Sequence, residues 1–163
     1  MTTLTLHLRV VGILLMLLGV SHFFFDQYFG WKHELESVSL LTRQIFYVHT
    51  FFIGIGVMMA GAVSCLLADA LVCRSDLSCA VLAAMAAFWF CRLLAQFFVY
   101  DPALWRGNRF RTGMHAAFAV FWCYVTATYG LALMAAGVDP LELILNSSRA
   151  EDDIRERTRP AQD

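Results

Sequence analysis

Four long apolar stretches, each about as long as a bilayer core is thick, limit this chain to one kind of fold. They run from about Leu4 to Phe25, Ile45 to Ala68, Ser78 to Tyr100 and Gly113 to Val138. A helix rises about 1.5 Å per residue, so roughly 20 residues cross the hydrocarbon. The rest of the composition agrees: of 163 residues, 60% are hydrophobic and only 15% are charged, unlike an average soluble domain. A formal net charge of -1 gives no electrostatic reason to expect nucleic acid as a partner.

The expectation is an all-α integral membrane protein, an up-and-down bundle of four transmembrane helices over residues 1–138, most simply in a bacterial inner membrane. Its immediate partner is the lipid bilayer. Arg9 interrupts the first stretch near its end, where its stem can snorkel to the interface. Gly19-Val20-Ser21 has the small residues of a signal-peptidase site, but the apolar run continues through Phe23, Phe24 and Phe25, which argues against cleavage there. An even number of spans puts both termini on one side and two loops on the other.

In the first loop, Trp31, Leu35, Val38 and Leu41 recur at helical spacing, with Glu34 and Glu36 near the start. The pattern predicts a short amphipathic helix lying in the interface, its acids solvated along with Asp26. The second loop opens on Asp101-Pro102, an N-cap and first helical position, and continues through Trp105 to the basic run Arg106, Arg109, Arg111. Tyr28, Trp31, Tyr100 and Trp105 are aromatic anchors on that side. Arginine and lysine counted near the spans favour a cytoplasmic loop side. Residues 139–163 begin with a short helix from Asp139-Pro140-Leu141 to about Asn146 or Ser147. From Arg149 they are too polar to offset the entropy of ordering, as in a flexible charged tail.

Up-and-down connectivity brings the polar residues of the spans to one depth. His22 lies near the exit of the first helix, His49 one turn into the second, Arg92 and Gln96 in the last turns of the third, and His115 in the first turn of the fourth. Arg43, Tyr47 and Tyr100 flank them. Met85, Trp89, Arg92, Gln96 and Tyr100 form a stripe at spacings of three and four, as do His115, Phe118, Trp122, Thr126 and Tyr129. Such mixed stripes face inward, and ionisable residues inside a membrane are costly enough to be functional candidates.

Three chemistries follow from this grouping. His22, His49 and His115 can offer imidazoles to one transition metal (zinc, iron or copper) with a position left open for redox or hydrolytic work. Two of those histidines can instead hold haem, with Arg92 or Arg43 pairing a propionate. Without a cofactor, Arg43, Tyr47, Arg92, Gln96 and Tyr100 make a hydrogen-bonding cradle for a lipid-soluble small molecule with a polar head, such as a lipid or a quinone. The competing class is an accessory subunit among other membrane subunits, in which the polar groups pair with one another and the basic loop meets a partner. The five cysteines hold no CxxC motif; Cys73 and Cys79 flank the turn on the terminal side and could pair there in an oxidising compartment, while the other three read as packing residues. Small residues, Gly12 and Gly19 in the first span and Gly54 and Gly61 in the second, would let helices approach closely.

Overall fold

The computed structural model describes residues 3–73 and 75–136, and all regular structure among them is helical. The elements are α1 (Thr3–Ser21), α2 (Phe25–Phe29), α3 (Trp31–Glu34), α4 (Leu40–Leu66), α5 (Ala68–Val72), α6 (Asp76–Phe98) and α7 (Arg109–Ala135). Four helical segments, Thr3–Phe29, Leu40–Leu66, Asp76–Phe98 and Arg109–Ala135, are long and apolar enough to cross a membrane. At 23 and 27 residues the last three reach about 35 to 40 Å, somewhat beyond the hydrocarbon thickness. Large apolar side chains such as Phe52, Phe88, Phe98 and Met134 are exposed along them, the arrangement a lipid solvent permits.

The chain divides into two compact units, Met1–Leu71 and Val72–Asp163. In the first, α1 packs antiparallel against α4 through glycine. A methyl added at Gly61 would lie 2.6 Å from the Gly12 carbonyl oxygen, and one at Gly19 would lie 2.8 Å from that of Gly54 and still closer to the Met58 side chain. Both pairs are seven residues apart on their helices, so the closest contacts repeat every two turns, as in coiled-coil packing. Without a Cβ at these points the two backbones meet directly. Arg9 closes the far end of this unit with an ion pair to Asp69 at 2.6 Å.

The second unit repeats the antiparallel arrangement with large side chains at the seven-residue spacing. Leu82, Trp89 and Gln96 are buried along α6, and Trp122 and Tyr129 along α7 with the half-buried His115 one repeat before them. Trp89 stacks on Trp122 and Gln96 meets His115, which fixes the register. The start of α6 is set by a capping box in which the Ser75 hydroxyl accepts from the Ser78 amide and the Ser78 hydroxyl from the Ser75 amide.

Several boundaries differ from the sequence reading, each for a local reason. No single interfacial helix joins the first two spans. Gly30, in the left-handed region at φ 67°, ends α2 and starts the four-residue α3, and Val38 is extended. Ser39 then caps α4 by accepting from the Thr42 amide at 3.2 Å, so that helix begins five residues before the expected Ile45. Asn108 does the same for α7, accepting from the Arg111 amide at 3.1 Å, which draws Arg109 and Arg111 into the helix. Asp101 caps a 3-10 turn over Pro102–Leu104 rather than a longer helix. All five cysteines are free, so Cys73 and Cys79 are not paired. The helix expected from Asp139 and the tail expected from Arg149 lie outside the described residues.

Candidate functional site

The candidate side chains fall into both units. In the first, His22 and His49 each place Nδ1 on the carbonyl oxygen four residues earlier, that of Leu18 at 2.7 Å and of Ile45 at 2.9 Å. The carbonyl can only accept, so both rings donate from Nδ1. These are bonds within a helix that need no tertiary site. The His22 ring also lies 4.6 Å from that of Phe25, and its Cβ is where a Gly54 side chain would run. His49 is exposed, in a shallow groove with Val48, Phe52 and Ile53.

Tyr47 does more than flank that region. Its hydroxyl donates to the Asp26 carboxylate at 3.0 Å, which ties α2 to α4. Asp26 was expected to be a solvated acid and is instead half-buried and engaged. Around the same connection Phe29 stacks on Trp31, and Trp31 meets Phe46 edge to face with centroids 4.8 Å apart. Trp31, expected as an interfacial anchor, therefore also packs on neighbouring rings. Arg43 is half-buried, and its backbone amide completes the first turn of α4 on Ser39.

The second unit holds a connected polar chain. Arg92 Nη1 donates to Gln96 Oε1 at 3.3 Å, and Gln96 Nε2 lies 2.8 Å from His115 Nδ1. Gln96 is one turn beyond Arg92 on α6 and opposite His115 on α7, so the helical period and the hairpin register together assemble the three. The guanidinium also stands 4.7 Å over the Trp122 ring and 5.7 Å from that of Tyr100. Both distances are within cation–π range, where a desolvated cation gains about 2 kcal/mol. Trp105 covers the other end, stacked on His115 with centroids 3.8 Å apart and planes 14° from parallel. Trp89 and Trp122 stack at 5.2 Å behind Arg92.

The sequence singled out Arg92, Gln96, Tyr100 and His115, and the structure brings these four together. It adds Trp105, read from sequence only as an anchor, as the cover on His115. A tryptophan ten residues before a histidine, across the turn at Gly107, gives no periodic signal of such a contact. Polar atoms also remain unmatched: the buried indole nitrogens of Trp89 and Trp122 and the Thr126 hydroxyl have no hydrogen-bond partner among the described residues.

Among the described residues no group of three or more histidine, cysteine, aspartate or glutamate side chains is placed to hold a metal ion. The expected three-histidine centre of His22, His49 and His115 thus finds no support. His22 and His49 serve their own helix, and His115 turns Nδ1 to an amide and its face to an indole. Compared with protein-family models, curated proteins and solved structures, the chain matches none.

Proposed function

We propose that this is an integral membrane protein, its four long helices crossing the bilayer in alternating directions, that binds a lipid-soluble molecule with a small polar head at Arg92, Gln96 and His115. The observation behind the reading is the setting of Arg92. Its guanidinium sits in a helix apolar enough to cross a membrane, held by one amide oxygen and two aromatic rings, and no carboxylate among the described residues pairs with it. At the centre of a transmembrane helix a charged side chain costs about 2.5 to 3.5 kcal/mol on insertion scales; Arg92, in the last turns of α6, costs less, but such residues still normally face a partner or a pathway. A bound molecule with an accepting head would be that partner. The rings of Tyr100, Trp105 and Trp122 suit the apolar portion adjoining such a head.

The competing reading is a non-catalytic accessory subunit, in which another chain would supply the acceptor. The exposed Arg106, Arg109 and Arg111 favour it to the extent that a basic loop suits contact with a partner. Solvent extraction of the purified full-length protein, followed by mass spectrometry, separates the two. The ligand reading expects one amphiphile at near-equal ratio to the protein, lost in Arg92→Gln while the helical signal is retained. Only bulk lipid in proportion to the detergent belt, unchanged by the substitution, would overturn it.

A further inference from the structure

The hydrogen-bonding directions in the second unit restrict what the head can be. Arg92 can only donate, so the Gln96 amide must turn Oε1 toward it; the reverse orientation would set donor against donor. That leaves Gln96 Nε2 facing His115, and since the amide nitrogen donates, His115 Nδ1 accepts. The imidazole proton is then on Nε2. Arg92 thus sets, through Gln96, which edge of His115 can donate, and the chain ends in donors at both sides.

The unmatched groups have the same character. The indole nitrogens of Trp89 and Trp122 donate only, and these residues are 2% and 3% exposed. Thr126 is one turn from Trp122, and its hydroxyl departs from the rule followed elsewhere in this chain. Thr50, Ser64 and Thr128 each return a bond to the carbonyl four residues back, at 2.9, 2.8 and 2.8 Å, whereas the buried Thr126 Oγ1 makes none. A hydroxyl in an apolar helix that forgoes the local bond is left free to donate elsewhere. An orphaned buried polar group costs about 1 to 3 kcal/mol; here Trp89 lies one turn before Arg92, Trp122 lies under its guanidinium, and Thr126 is a turn further along α7.

We infer that the site takes an oxyanion, the phosphate or carboxylate head of an amphiphile, bound by Arg92 with donors from His115, Trp89 and Trp122. This rests on the ligand reading above and adds the charge and the hydrogen-bonding sense of the head. A neutral quinone would satisfy donors but leave the guanidinium charge uncompensated; an oxyanion does both.

The test follows thermal unfolding of the full-length protein in neutral detergent by circular dichroism. The probes are lysophosphatidic acid, a long-chain fatty acid, a decyl-benzoquinone and inorganic phosphate. Both anionic amphiphiles should raise Tm in a saturable way and the quinone should not. An equal rise with inorganic phosphate would assign the oxyanion to a free ion, overturning the amphiphile part. Trp122→Phe keeps an aromatic ring but removes the N–H together with part of the indole, and Thr126→Val, a turn further along α7, removes an unmatched hydroxyl at nearly constant shape. Without probe, Thr126→Val should melt at or above the parent, because an unmatched group is gone, and Trp122→Phe should melt lower through lost ring volume; Trp122→Phe should bind the anionic amphiphile about five- to tenfold more weakly and Thr126→Val as tightly as the parent. Unchanged affinity in Trp122→Phe would overturn the role given to the indole donors. If the quinone stabilises as well as the anions, and Arg92→Gln abolishes both effects, the ligand site stands and the oxyanion assignment fails. If no probe stabilises and no amphiphile is extracted, the site itself fails.

Discussion

The two units solve the same packing problem with opposite materials. Each is an antiparallel helix pair whose closest contacts recur every seven residues. In the first the repeat is Gly12 and Gly19 against Gly54 and Gly61, and backbone meets backbone. In the second it is Trp89 and Gln96 against His115 and Trp122, and side chains of large volume or hydrogen-bonding capacity occupy the seam. Between lipid-solvated helices there is little hydrophobic drive to associate, so close van der Waals contact and interhelical hydrogen bonds must supply it. Glycines use the first route and leave no room for chemistry between α1 and α4. The second pair uses the other route and keeps polar atoms in its seam, three of them unmatched. The proposed ligand site therefore draws on the second unit, whose seam keeps polar side chains, and not on the glycine-packed first.

The sharpest way to break this contrast is to give the first unit a side chain. Gly61→Ala puts a methyl 2.6 Å from the Gly12 oxygen and 2.8 Å from the Met16 nitrogen, both backbone atoms that cannot rotate away. Overpacking of this kind costs about 1 to 3 kcal/mol and occasionally more. We expect the upper end of that range, and Gly61→Leu to yield no monodisperse protein on size-exclusion chromatography. A Gly61→Ala protein as stable as the parent would mean that α1 and α4 do not cross at these glycines.

The corresponding cut in the second unit is Gln96→Leu. It preserves volume approximately but removes the acceptor of Arg92 and the donor to His115 together. The expected loss is about 1 to 3 kcal/mol, from polar groups left without partners rather than from a cavity. Denaturation in detergent gives the size. Gln96→Glu adds a sign: a carboxylate accepts from Arg92 but cannot donate to a His115 Nδ1 that accepts. It should retain the Arg92 contact while disturbing His115, visible in the imidazole nitrogen chemical shifts. Unperturbed shifts would refute the donor sense given to Gln96.

How much of this was legible in advance differs between the units for the same physical reason. Apolar length exposed the four long helices, and their polar stripes exposed Arg92, Gln96 and His115, because helical period and hairpin register are both written in residue numbers. The loop was not legible in that way: Trp31, Leu35, Val38 and Leu41 have helical spacing, yet Gly30 and the extended Val38 break the run, since backbone punctuation outranks side-chain period over so few residues. The three-histidine centre finds no support for a related cause. Residue numbers gave His22 and His49 a depth but not a direction, and a ring that bonds its own helix needs no common cavity. Trp105 on His115 and Tyr47 on Asp26 are contacts across turns, and no spacing rule announces them.

Smaller effects sharpen the comparison from the other side. Gly130, in α7 of the second unit, has nothing among the described residues within 4 Å of where its Cβ would lie. The substitution that harms Gly61 should therefore help here: Gly130→Ala should stabilise by about 0.5 to 1 kcal/mol, the helix-propensity difference, as a Tm increase. Loss of stability at Gly130 would indicate that a further surface, such as another chain, presses on α7 there.

The smallest change is expected at the ion pair that closes the first unit. Arg9 and Asp69 meet at 2.6 Å, but their side chains are 36% and 68% exposed, and such pairs contribute about 0 to 1 kcal/mol once solvent and side-chain entropy are counted. Asp69→Asn should cost no more than about 0.5 kcal/mol, and the difference should shrink further in high salt. The measurement also reports on depth. In hydrocarbon the same pair would be poorly screened, and removing one charge would leave Arg9 facing an uncompensated environment, a loss of about 3 kcal/mol or more that salt would not reduce. A small, salt-sensitive effect in lipid nanodiscs places Arg9 at the headgroups. A large, salt-insensitive one would place Arg9 within the hydrocarbon and move the boundary of the first candidate span outward, past Arg9 toward the N-terminus.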